Sequence, residues 1–149
     1  MGIRNLILLA LCLSLIPAGA VLADTLQVTD MSGRTVNLPH DPERIICLGP
    51  GTLRLIVYLQ AQDKVIGVEA LEKQNPGGRP YWLAHPELND LPLCGPGGPA
   101  SINQKPNMEV VLNLNPDLIF ITYMNSSLAD EVQDTLQILF NRLFGIGTV

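Results

Sequence analysis

The sequence predicts an α/β protein: a doubly wound, mostly parallel sheet, one Rossmann-like lobe, preceded by an N-terminal β-hairpin. Three observations carry this. The short apolar runs Ile45-Ile46-Cys47-Leu48, Val65-Ile66-Gly67-Val68 and Leu118-Ile119-Phe120-Ile121 read as strands covered on both faces. Segments with apolar residues at helical spacing lie between them. Each run ends in polar or glycine-rich residues, at the sheet end where open α/β folds bind ligands.

The first element is not part of the fold. Arg4 followed by the apolar Leu6 to Ile16, with Pro17 and a small-residue stretch ending at Ala23, reads as a secretory signal peptide over residues 1–23. Its apolar run is too short for a comfortable membrane span. Export would place the remaining chain in the periplasm or another extracytoplasmic space.

Thr25 to Asn37 then reads as a hairpin turning at Asp30-Met31-Ser32-Gly33, with Gly33 suited to positive φ. After a linker, Arg44 to Leu48 is a buried strand and Gly49-Pro50-Gly51 its turn. Thr52 is placed to cap a helix carrying Leu53, Ile56 and Val57 on one face. Val65 to Val68 closes a β-α-β unit. Glu69 to Asp90 is long and irregular, with a short helix expected near Tyr81 and Trp82, and such loops are usually functional or disordered. Leu91 to Cys94 is a short strand, followed by the glycine- and proline-rich Gly95 to Ile102. Asn107 caps a helix with Glu109 in its first turn and Val110, Val111 and Leu114 on one face. Asn115-Pro116-Asp117 breaks that helix before the strand at Leu118. Ser126 or Ser127 caps a last helix running to about Phe144, with a stripe of Leu128, Val132, Leu136, Leu139 and Leu143.

Composition excludes several functions. Nine basic residues against 14 acidic give a formal charge of −5, which argues against a nucleic-acid partner. Neither glycine loop fits a phosphate-binding pattern, and each proline removes a backbone donor. His40 and His85 read as ordinary surface residues, so no protein metal site is expected. No nucleophile–base motif stands out, and no enzyme activity or cofactor is expected. Cys47 and Cys94 end strands expected to be neighbours in a 2-1-3-4 order. Export permits a disulfide between them, and a pair of buried thiols is the alternative.

The strand ends gather the candidate ligand-binding residues on one rim: Gly49, Pro50, Gly51, Thr52, Glu69, Gly97, Thr122 and Tyr123. Arg79, Tyr81 and Trp82 form a recognition cluster in the irregular loop. The arginine suits an anionic chelate and the aromatics suit a planar ligand; alternatively the two aromatics anchor the loop onto the sheet.

Taken in order, Val28 to Val36, Pro42-Glu43-Arg44-Ile45-Ile46, Val65 to Val68, and Asn107-Met108-Glu109 through Asp117-Leu118-Ile119 resemble the N-terminal lobe of the periplasmic substrate-binding proteins of iron-siderophore, haem and cobalamin ABC importers. The resemblance covers residues 24–137. It implies an exported binding component that captures a small-molecule metal complex (an iron chelate, haem or cobalamin) between two lobes. It also implies a permease partner, with Glu109 at the position of the N-lobe docking acid. The family's chains are much longer than these 149 residues, and residues 138–149 read as a divergent apolar tail. The expectation is therefore a truncated or split product lacking the second lobe. The alternative is an exported interaction fragment that self-associates through its apolar C-terminal helix.

Overall fold

The computed structural model describes residues 25–74, 76–140 and 145–148, with side chains described through residue 136. The expected signal peptide lies outside these residues. Strands β1 (Thr25–Thr29) and β2 (Thr35–Pro39) form the antiparallel hairpin, and Gly33 takes φ 77° in its turn. Asp30 fixes that turn: its carboxylate accepts the backbone N–H groups of Ser32 and Arg34 and pairs with the Arg34 guanidinium at 2.7 Å.

A five-stranded parallel sheet follows. Its strands are β3 (Ile45–Leu48), β4 (Val65–Glu69), β5 (Leu93–Gly95), β6 (Leu118–Ile121) and β7 (Gly145–Thr148), in the spatial order β5-β4-β3-β6-β7. Helices α1 (Thr52–Tyr58), α2 (Ala70–Gln74), α3 (Pro80–Leu83), α4 (Met108–Leu114) and α5 (Ser126–Phe140) complete the fold. The strands alternate between two cores, as the two-residue period of a strand requires. Ile46, Leu48, Ile119 and Ile121 face α4 and α5. Ile45, Cys47, Val68 and Leu118 face α1 and α3.

This order corrects one expectation. The Cys47 and Cys94 strands are not neighbours, because β4 lies between them. The two thiols also belong to opposite faces of the sheet, and both are free and buried. No disulfide joins them. Cys94 Sγ instead packs over Gly67, where any Cβ would collide with it. Burial pushes the Cys94 thiol up to about 12 and raises that of Cys47 as well, so both stay protonated.

Two caps also differ from the sequence reading. Thr52 is the first residue of α1, and the cap position belongs to Gly51 at φ 83°. The Thr52 hydroxyl turns back to donate to the Leu48 carbonyl. At α5 the cap is Asn125, whose Oδ1 accepts the Leu128 N–H at 2.8 Å. Asn107 caps α4 as expected, accepting the Val110 N–H. Of the expected α5 stripe, Val132 and Leu136 are buried against the sheet and Leu128 is half-buried against the same core; Leu139 and Leu143 lie outside the residues whose side chains are described. Strand β7 was not expected at all, since residues 138–149 read as a divergent tail.

Candidate functional site

From β3 the chain moves outward through β4 to β5, then returns along α4 to β6 on the other side of β3. The loops after β3 and β6 therefore diverge at a topological switch point, where such sheets place their ligand crevice. The structure brings most of the predicted rim residues to this point.

The floor of the site is locked by short contacts. The Leu48 carbonyl accepts the Thr122 N–H at 3.1 Å and the Thr52 hydroxyl at 2.7 Å. Thr122 Oγ1 donates to the Pro50 carbonyl at 3.1 Å. Gly49 lies directly against Thr122; a Cβ there would sit 2.6 Å from the Thr122 carbonyl oxygen, and its φ of 83° already favours glycine.

Glu69 links this loop to the second glycine loop. Its Oε1 accepts the Gly49 N–H at 2.8 Å, and its Oε2 lies 2.8 Å from where a Cβ on Gly97 would stand. Burial raises the Glu69 carboxyl above the ordinary range. The Gly49 hydrogen bond opposes that shift and the nearby Glu72 charge adds to it.

Above this floor is an open cavity of about 450 Å³ lined by Pro50, Gly51, Glu69, Arg79, Tyr81 and Tyr123, together with Arg54, Leu71, Glu72 and Gly78. Arg79 Nε pairs with Glu72 Oε2 at 3.1 Å, and the Tyr81 hydroxyl donates to the same oxygen at 2.7 Å. Burial and this carboxylate raise the Tyr81 phenol, so it remains a donor. Tyr123 takes φ 60°, a left-handed conformation uncommon outside glycine, and its side chain is 65 % exposed. Backbone in such a sparsely populated region clusters at functional sites, ligand clamps among them. A narrower crevice of about 30 Å³, room for about one or two waters, runs between Gly49, Thr122, Gly95 and the segment Ser101 to Pro106.

Three predicted ligand residues line neither cavity. Trp82 is 2 % exposed in the core and donates through Nε1 to Asn89 Oδ1, so it anchors its segment. Thr52 is fully buried and supports the floor. Gly97 acts by making room for Glu69. Glu109 is exposed on α4, one residue into the helix. His85 is half-buried beside Glu87 and His40 is exposed, both away from the rim. Sequence reasoning missed Arg54 and Glu72. Arg54 was available as the polar position among Leu53, Ile56 and Val57, and Glu72 as the carboxylate one helical turn after Glu69.

No family model matches the chain. The molybdate-binding protein MolA of Haemophilus influenzae is 32 % identical over 135 residues, which are 90 % of this chain and 36 % of the relative. The solved structure of MolA bound to molybdate has a TM-score of 0.65 at 26 % identity, covering 83 % of this chain and 34 % of that one. A periplasmic solute binding protein from Veillonella parvula gives 0.63 at 21 % identity, covering 85 % and 35 %. The heme binding protein HmuT gives 0.57 at 22 %, covering 85 % and 35 %. This chain thus spans about a third of the length of the relatives it matches.

Proposed function

From a chain that has the fold of a lobe of the periplasmic binding proteins of ABC importers, as its sequence resemblance implied, we infer that this lobe forms one wall of a ligand cleft in an extracytoplasmic receptor. The observation that carries the reading is the open cavity of about 450 Å³ at the switch point, seated on the locked floor of Gly49, Glu69 and Thr122. A preformed concave site with few convergent polar groups is what small-molecule capture needs.

The ligand proposed is a metal-containing small molecule: an iron chelate, haem or cobalamin by the sequence resemblance, or a metal oxyanion by analogy with MolA. Capture and release involve no bond chemistry. Tyr81 and Tyr123 offer aromatic surface, and Gly51 and Gly78 let a ligand approach the backbone closely. Exposed Glu109 is proposed as the carboxylate that meets a permease arginine. Residues 24–137 would form the binding lobe.

Titration calorimetry with ferric siderophores, haem, cobalamin and molybdate tests this, on the chain alone and joined to a second lobe. Binding of one class by either protein is expected. Absence of binding in both would overturn the reading. For docking, Glu109→Arg should abolish association with permease-containing vesicles while leaving ligand affinity unchanged.

A further inference from the structure

We propose that Glu69 makes capture selective and proton-linked, by accepting a hydrogen bond from an uncharged or cationic N–H or O–H group that the ligand carries. This rests on the ligand-capture reading above and goes beyond it in naming the residue, the polarity of the contact and its dependence on pH.

The hydrogen-bond accounting around the cavity points to this residue. Tyr81 and Arg79 both direct donors at Glu72. Glu69 is served differently. Its Oε1 accepts the Gly49 N–H, while its Oε2 has no donor among the described residues. Glu69 is only 8 % exposed and lines both the open cavity and the narrow crevice. Among the described residues, the sealed side-chain oxygen that lacks a partner is Gln133 Oε1, so Glu69 Oε2 is reached from the cavities it lines. A carboxylate oxygen this deep is costly until a donor meets it. Ligand entry expels water, so the donor must then come from the ligand.

The groups around Glu69 favour a neutral or cationic donor over an anion. Glu72 on α2 adds negative charge, which its pairing with Arg79 offsets. The thiols of Cys94 on β5 and Cys47 on β3, and the Tyr81 phenol, stay protonated and neutral. Lys105, which lines the crevice, is paired with Glu131. Arg54 and Tyr123 line the open cavity without a hydrogen bond to Glu69. Burial, with a contribution from Glu72, raises the Glu69 carboxyl above the ordinary range. A ligand donor binds the ionised form and displaces the proton. Affinity should therefore rise as pH rises through the raised value.

The experiment uses Glu69→Gln, which keeps an oxygen for the Gly49 N–H and puts an N–H donor in the place of Oε2. The probes are cyanocobalamin, which bears primary amides; an uncharged ferric trihydroxamate on a peptide ring, which bears backbone N–H groups; and sodium molybdate, which offers acceptors alone near pH 7. Calorimetry on the proteins titrated above is run from about pH 5.5 to 7.5, in buffers of different ionisation enthalpy. At least one amide-bearing probe should bind wild type, more tightly at higher pH and with release of protons. Glu69→Gln should weaken it by about 10- to 100-fold at pH 7 and remove the pH dependence. The wild-type proton count needs no variant, so it decides the matter if Glu69→Gln folds poorly. Equal affinity in wild type and Glu69→Gln would overturn the role of Glu69 and leave the capture reading standing. Affinity that is flat or falls as pH rises, or binding of molybdate alone, would overturn the donor assignment. No binding of any probe would overturn both the proposal and the reading beneath it.

Discussion

The two rim loops begin as sequence twins, Gly49-Pro50-Gly51 and Gly95-Pro96-Gly97, yet they hold the site in different ways. The first is wedged against backbone: Gly49 abuts the main chain and hydroxyl of Thr122, and its N–H is held by Glu69. The second is propped on side chains, since Gly97 rests on Glu69 and on the Leu71 Cβ, each within 2.9 Å of an added methyl. Main-chain atoms are fixed outright, and the Cβ atoms of Glu69 and Leu71 give way only if their short segment shifts with them. The first loop is therefore the fixed edge of the open cavity, while the second edges only the narrow crevice and moves with the Glu69 to Leu71 segment, Glu69 being the shared support between them.

That difference sets the order of expected effects. Gly49→Ala should be the most damaging change, destabilising the fold by about 3 kcal/mol from left-handed strain and overlap with Thr122 together. Urea unfolding measures it. Gly97→Ala carries similar strain and meets the Cβ atoms of Glu69 and Leu71 but no main-chain atom, so a shift of that short segment relieves part of the overlap and the cost should be about 2 kcal/mol. Gly95→Ala, where an added Cβ meets nothing within 4 Å, is the control and should stay within about 1 kcal/mol of wild type. If Gly97→Ala proves the more damaging of the two, the first loop is not the more rigidly held.

Thr122→Val probes the fixed edge more gently. It keeps the shape but removes the donor to the Pro50 carbonyl, which should cost about 1 kcal/mol. Ligand affinity should fall along with stability if the first loop forms the cavity edge. An affinity unchanged by this substitution would show that the cavity tolerates a loosened floor.

The same contrast explains what the sequence could show. Strands β3, β4 and β6 were legible because a strand buried on both faces must be apolar throughout. The hairpin was legible because Asp30 to Gly33 carries turn chemistry. Strand order was not, since pairing between distant segments leaves little local trace. One trace did exist: Pro92, immediately before β5, argues against the interior place that the expected order gave this strand. Strand β7, Gly-Ile-Gly-Thr, is too rich in glycine to read as a strand at all. Tyr81 and Trp82 are adjacent in a helix of four residues, where periodicity cannot tell which one turns toward the cavity and which one enters the core. The rim glycines were legible as turns and Thr122 and Glu69 as rim residues, but the contacts of these two with Gly49 and Gly97 became visible only once the strand ends met.

The smallest effect tests Glu69 itself through its dependence on pH. Its native carboxyl is held above the ordinary value, chiefly by burial. The folded state therefore binds the proton more tightly than the unfolded chain does. Stability is free of this penalty below the unfolded value, and it declines as pH rises from about 4.3 through the raised native value. Glu69→Gln resembles the protonated form and keeps a carbonyl that can accept the Gly49 N–H. The variant should be more stable than wild type near pH 7, and the gap should close toward about pH 4. Asp41 and Glu87, whose carboxyls are held low by Lys64 and by the Glu87 backbone and His85, lose stability on acidification in both proteins and cancel in the difference. Urea midpoints for the pair across this range provide the check. A gap that widens on acidification would mean that the charged carboxylate, through its bond to Gly49, supports the fixed edge more than its burial costs.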